Sequence, residues 1–408
     1  MALAMDRIRQ DIPILKETFD GNPLVYLDNA ATTQKPRAVL DAMTRFYETD
    51  NANAHRGMHV LAERATIALE DSRRTVQTFL HAAHPEEIVF TKSCTESINL
   101  VARGLSQAWI DADAIILSIL EHHSNIVPWL QVKEERGCDL LWIDIHDDGT
   151  LNMQGFEEAL RHGTVKLVAI TAQSNVLGIR PPLKEMIQKA HAAGALVLVD
   201  AAQAMAHEKI DVTELDCDFL TFSGHKLYGP TGIGVLYGKR KLLETLPPLL
   251  GGGMMIGEVF TDRFTTADVP AKFEGGTQPL AEAVGLDAAI DWLTQFSWDD
   301  ITKHESLLMK KAYDLLQKIP GLTILCPNPN PNPSPLLSFT IDGVHPHDLT
   351  EILGRKGICL RAGHHCTQPL HRRLGIPAST RLSVGIYNTT TELDLLAKEL
   401  PEAVKRLQ

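Results

Sequence analysis

The chain has 408 residues, 44% of them hydrophobic and 22% charged, which is the composition of a folded globular protein rather than a disordered or fibrous one. Its formal net charge of −12 argues against nucleic-acid and anionic-membrane partners, both of which need a basic surface. No uninterrupted apolar run approaches the roughly 20 residues of a membrane span, and the N-terminus lacks a signal-type apolar core, so a cytoplasmic protein is expected.

From about Val25 to Gly238, short apolar runs alternate with helical patterns. The runs are Ile88 to Thr91, Ala114 to Ser118, Leu140 to Ile143, Lys166 to Thr171, Ala195 to Asp200 and Phe219 to Ser223. That alternation predicts an α/β fold, a mostly parallel, seven-stranded-type sheet between helices. The larger domain is expected over 21–285. Helices follow at Leu280 to Thr294 and around Ser306 to Ile319, then a Pro/Asn-rich run from Pro327 to Pro335 that suits a surface loop, then strands near Leu337 to Ile341 and Ile358 to Arg361. A smaller α+β domain, 1–20 with 286–408, is the expectation for the rest.

Two of the apolar runs end abruptly in polar residues, Asp200-Ala-Ala-Gln203 and Ser223-Gly-His225-Lys226. The carboxyl ends of parallel strands are where α/β sheets hold ligands. A lysine able to form a Schiff base and a carboxylate able to keep a pyridine nitrogen protonated are what pyridoxal phosphate requires, and Lys226 and Asp200 fit those roles. A salt bridge at a sheet edge is the plainer alternative for the pair alone. It leaves unexplained the hydrogen-bonding groups before the lysine and the glycines after it, Gly229, Gly232 and Gly234, which permit close backbone approach. Ser93-Cys94-Thr95-Glu96, opening a helical pattern, offers a phosphate site at a helix N-terminus with Thr95 as a hydroxyl ligand, or an ordinary N-cap made of the same residues.

Of the six cysteines, at 94, 138, 217, 326, 359 and 366, no two form a CxxC pair. Cys366 follows Gly363-His364-His365 in a polar loop, where a thiol can be partly ionised and nucleophilic. His345, His347, His364, His365 and Cys366 form a histidine-rich set. In an extended loop 364 and 365 would point apart, so no metal site is expected.

Tyr26-Leu-Asp-Asn-Ala-Ala-Thr-Thr33, Glu121-His-His123-Ser-Asn125, Asp200 to Gln203, Ser223 to Lys226, Arg361-Ala-Gly-His-His-Cys366 and Arg381-Leu-Ser-Val-Gly-Ile-Tyr-Asn388 together resemble the SufS-type, or group II, cysteine desulfurases, aminotransferase class V-like enzymes of PLP fold type I. The resemblance runs nearly end to end. It implies Lys226 as the Schiff-base lysine, Asp200 as the pyridinium partner, His123 stacked on the cofactor ring, and Asn175 and Gln203 as amide donors near the ring hydroxyl. Thr95, Ser223 and His225 would hold the phosphate, with Thr277 reaching it from the other subunit of a homodimer. Arg381, with Asn175, would bind the substrate carboxylate, and Cys366 would take the sulfur of L-cysteine as a persulfide, releasing L-alanine. Ser93 and Cys94 depart from the Gly-Thr usual there. The implied partner is a sulfur-acceptor protein for iron–sulfur cluster assembly. The Gly343 to Asp348 segment resembles members served by a zinc-bearing SufU-type acceptor, with His345 or His347 exchanging onto the zinc, and a SufE-type acceptor is the alternative. L-Selenocysteine is a further substrate the resemblance allows. A same-fold transaminase, which needs no Cys366, a selenocysteine lyase and a non-catalytic scaffold are the competing readings.

Overall fold

A computed structural model describes residues 3–55, 57–325 and 334–408. Most of the Pro/Asn run, with Cys326, lies outside the described residues. The central sheet is built from Ile88–Thr91 (β1), Ala114–Ser118 (β2), Asp139–Ile143 (β3), Val165–Thr171 (β4), Leu196–Asp200 (β5), Phe219–Ser223 (β6) and Gly234–Gly238 (β7). Its order is β1-β7-β6-β5-β4-β2-β3. β3, β2, β4, β5 and β6 run parallel, and β7 is antiparallel to both β6 and β1. β7, which the run pattern did not single out, completes the expected seven. β1, β2 and β6 are buried at every position, because helices cover both faces and such strands need apolar residues on both. β3 lies at an edge and is correspondingly half exposed.

A second, four-stranded antiparallel sheet is formed by Leu322–Ile324 (β8), Leu336–Ile341 (β9), Arg361–Gly363 (β10) and Ser379–Ser383 (β11), ordered β8-β9-β11-β10. Its core gathers Phe339, Leu349, Leu353 and Leu382 with Leu308, Leu393 and Leu396 from long helices. Two placements differ from the expected division. Val25 and Leu27 bury in this second core, since Val25–Tyr26 pairs in parallel with Ile358–Cys359. Ile8 and Ile12 bury instead against the main core, while Arg9 between them reaches the Tyr387 carbonyl and Glu392. The N-terminal segment thus ties the two bodies together. Among the described residues no helix is long and apolar enough to cross a membrane.

Candidate active site

A cavity of about 220 Å³ opens where β5 and β6 end, walled on one side by the first turn of the Cys94–Leu105 helix (α1) and on the other by residues of the second sheet. Asp200 and Lys226 both line it. Asp200 is 4% exposed, and its Oδ1 accepts from the Ala202 N–H at 3.0 Å and from the Cys94 thiol at 3.4 Å. Burial pushes the Asp200 carboxyl up and the Lys226 ammonium down, and the attraction between the two charges opposes both shifts.

The α1 N-terminus is built for close contact. Ser93 caps it by accepting from the Glu96 N–H at 3.4 Å, and the Cys94 N–H donates to Ser223 Oγ at 2.8 Å, joining helix and strand. β7 passes so near that a Cβ on Gly234 would lie 2.4 Å from the Ser93 backbone, which only glycine allows. Ser93, Thr95, Ser223 and His225 line the cavity here. Cys94 fills the space beneath: its thiol also meets Thr221 Oγ1 at 3.1 Å, and burial beside Asp200 raises it well above the ordinary thiol range. It is a protonated packing residue.

The histidine assignment shifts by one. His122 lines the cavity, whereas His123 stands aside, its Nε2 accepting from the Gln368 N–H at 3.0 Å and its main-chain N–H donating to the Cys366 carbonyl at 2.7 Å. In the turn that follows Glu121, His122 still has extended backbone and directs its ring inward, its Nδ1 held by Ser124 Oγ at 2.8 Å, while His123 starts a 3₁₀ turn facing the Cys366 loop. Burial and the nearby Lys226 push the His122 imidazolium down to about 3, so the ring is neutral. His225 is likewise held down, to about 4.

The two amides each have one N–H engaged. Asn175 Nδ2 donates to the His365 carbonyl at 2.7 Å, and Gln203 Nε2 to the Ala30 carbonyl at 2.8 Å, leaving each a second donor. Arg381 is 2% exposed and held in a fork, by the Asn175 carbonyl at 3.0 Å and Asp28 Oδ1 at 3.1 Å; its Nε is buried without a partner among the described residues. Asp28 and Arg361, 3.6 Å apart, were not anticipated, although Asp28 sits inside the Tyr26 to Thr33 motif. Cys366 is exposed and borders the same cavity. Its loop is not extended: His365 and Cys366 have φ of 49° and 58°, and this left-handed pair gathers His364 and His365 around His371 instead of splaying them. Thr277 is exposed and borders a separate hollow with Lys92 and Glu96, away from this cavity in the single chain.

The sequence profile of the aminotransferase class-V family matches residues 25–396, nearly the whole chain. The chain belongs to that family. It is 46% identical to a probable cysteine desulfurase of Streptomyces coelicolor over 98% of this chain and 96% of that protein. It is equally similar, at 46%, to a cysteine desulfurase of Dickeya dadantii, covering 97% and 96% of the two. Among solved structures it superposes on the cysteine desulfurase CsdA of Escherichia coli, in its S-sulfonic acid form, with a TM-score of 0.92 and 39% identity over the full length of both. The apo cysteine desulfurase of Thermococcus onnurineus superposes with a TM-score of 0.94 and 36% identity, again over both full lengths.

The donor set of this class-V member fits pyridoxal phosphate. A buried carboxylate, engaged through Oδ1, lines the cavity together with an amine, and the glycine-permitted approach at α1 puts first-turn N–H groups beside Thr95 and Ser223 where a phosphate is best held.

Proposed function

We propose that this chain is a pyridoxal 5′-phosphate-dependent L-cysteine desulfurase, converting L-cysteine to L-alanine and leaving the sulfur on Cys366. The observation that carries this reading is the meeting of Lys226, Arg381 and Cys366 on one cavity although they come from different sheets, since a transaminase has no use for the thiol. Lys226 would carry the cofactor, Asp200 would pair with its ring nitrogen, Thr95, Ser223 and His225 would hold its phosphate, and Gln203 would donate to its ring hydroxyl. The neutral His122 ring, rather than His123, would lie against its face. When bound, the cofactor supplies a carbonyl carbon for imine exchange with amino groups and a sink for the electrons of bonds broken at the substrate carbon.

The chain supplies the rest. Arg381, already oriented by Asp28 and Asn175, offers its unpartnered Nε–H to the substrate carboxylate, and the free N–H of Asn175 can join it. The Lys226 amine, its pKa lowered by burial, moves the proton at the substrate Cα. The Cys366 thiolate attacks the substrate sulfur. The S–S bond forms as the C–S bond breaks, the electron pair stays with carbon, and that carbon ends as the methyl group of alanine.

Thr277 lies off the cavity of its own chain, so a homodimer in which it reaches the partner's phosphate site accounts for its place. Delivery to a sulfur-acceptor protein suits an exposed Cys366 on a short loop. His347 Nε2 lies 3.6 Å from where a Cβ on Gly363 would sit, close to that loop, which favours His347 over His345 as the zinc-exchanging group toward a SufU-type acceptor. A cytoplasmic setting accords with Cys94, Cys138, Cys217, Cys359 and Cys366 all being free thiols.

The test is purified protein loaded with pyridoxal phosphate, given L-cysteine and a thiol reductant. Sulfide and alanine should appear in equal amounts. Pyruvate with ammonia in place of alanine, or alanine formed only when a 2-oxo acid is added, would defeat the reading.

A further inference from the structure

Behind Cys366 lies a buried hydrogen-bond chain that the chemistry above does not use. His371 Nδ1 is 3.1 Å from the Thr367 carbonyl oxygen. The Thr367 hydroxyl, 3.4 Å from the same nitrogen, gives its own proton to the His364 carbonyl at 2.8 Å. Nothing there can donate, so His371 Nδ1 carries the hydrogen. Burial holds the His371 ring neutral, which leaves a lone pair on Nε2, 3.0 Å from Ser379 Oγ. Ser379 must then donate to His371 and accept from its other partner, His365 Nε2, at 3.1 Å. With its hydrogen fixed on Nε2, the neutral His365 ring has its lone pair on Nδ1.

That Nδ1 is buried and has no partner among the described residues, in a residue only 5% exposed that lines the cavity with Cys366 and Arg381. Two residues that line the cavity thus each hold one unmet group among the described residues: a donor, Arg381 Nε–H, and an acceptor, His365 Nδ1. A substrate carboxylate answers the first and cannot answer the second. Of the remaining polar groups of L-cysteine, the amino group is committed to the cofactor, which leaves the thiol.

We propose that His365 Nδ1 accepts a hydrogen bond from the substrate S–H, holding that sulfur against Cys366, and that Ser379 and His371 are positioning residues that fix the imidazole tautomer. The inference rests on the desulfurase reading. It also explains why an acceptor, and not a base, stands there. In the transfer the Cys366 thiolate forms the S–S bond, the C–S bond pair goes to carbon, and the hydrogen remains on the transferred sulfur, giving Cys366–S–SH. A base that removed this proton would put negative charge on the atom that the thiolate must attack. Burial, aided by the Arg381 charge, keeps His365 down to about 2, a hydrogen-bond acceptor with little affinity for the proton itself.

The experiment uses the holoenzyme carrying Cys366→Ser, which binds without turnover, and reads ligand binding from the cofactor's visible band. L-Cysteine is compared with L-2-aminobutyrate, in which a methyl group replaces the thiol. One hydrogen bond should make L-cysteine the tighter ligand by roughly 2- to 10-fold. Adding His365→Phe should erase that preference, and His365→Asn, whose amide oxygen can stand near the Nδ1 position, should restore part of it. Ser379→Ala, outside the cavity wall, should also reduce it. Should His365→Phe and Ser379→Ala weaken both ligands in parallel, with the preference intact, His365 is only structural and the inference is overturned. Failure of the unmutated enzyme to release sulfide and alanine from L-cysteine would instead remove the desulfurase reading, and this inference with it.

Discussion

The floor of the cavity and the Cys366 loop are built in opposite ways. The floor consists of almost fully buried strands that end in functional groups, so Asp200 and Ser223 are placed by main-chain ladders and by apolar packing on both faces of the sheet, with Lys226 in the 3₁₀ turn that follows directly. The loop carries its exposed thiol on two consecutive residues with positive φ, a conformation that costs non-glycine residues of order 1–3 kcal/mol each unless the surroundings impose it. Those surroundings belong to the other body. Asn175 grips the His365 carbonyl and the His123 N–H grips the Cys366 carbonyl. Asp200 and Lys226 thus sit on or beside rigid elements, while the Cys366 loop is clasped across a boundary, by Asn175 and by both the main-chain N–H and the Nε2 of His123.

Replacing one functional group in each region separates them most sharply. Lys226→Ala should lose both the borohydride-reducible cofactor adduct and turnover, by about 10²-fold to 10⁴-fold or more, because the amine proposed to move the Cα proton would be gone. Cys366→Ser should retain the visible band of the loaded enzyme and lose sulfide release to background. A Cys366→Ser enzyme that turned over L-cysteine normally would break the division and bring the transaminase and lyase readings forward.

What could be read in advance follows the same division. Asp200 and Lys226 were legible because apolar runs stop at them, and a strand's end is a local property of the sequence. The choice between His122 and His123 was not, since neighbouring residues in a turn differ only in backbone angle, which no periodicity records. Arg381 was recognisable by its motif, yet its holder Asp28 lies 353 positions away, and no local pattern links the two. The main-core burial of Ile8 and Ile12 and the placement of Val25 in the second core escaped for the same reason: which body a short segment joins is settled by long-range packing.

Loosening the grip on the loop should give a smaller effect. Asn175→Ala removes the donor to the His365 carbonyl and leaves in place the main-chain carbonyl that holds Arg381. Displacement of a reacting group by about 1 Å can cost roughly 100-fold, so kcat with L-cysteine should fall by about 10- to 100-fold. Cofactor loading should change little. A loss of the cofactor band comparable to that of Lys226→Ala would mean that Asn175 belongs to the floor rather than to the clasp.

The smallest effect is one of stability and pH. Burial depresses His122 to about 3, His225 to about 4 and His365 to about 2, from an ordinary value near 6.5. These are bases that stay neutral in the folded protein, whereas in the unfolded chain they take up protons once the pH drops below about 6.5. The unfolded state then binds more protons than the folded one, so their contribution to stability is fully present above the unfolded value and is lost progressively as the pH falls toward the folded ones. The unfolding temperature of the cofactor-free protein should therefore decline between pH 7.5 and pH 5. His225 belongs to the floor and His365 to the loop, so His225→Gln and His365→Asn should each flatten that decline. A decline unchanged in both variants would leave His122 or groups outside the cavity as the source of the acid sensitivity. One altered by His365→Asn alone would locate it in the loop.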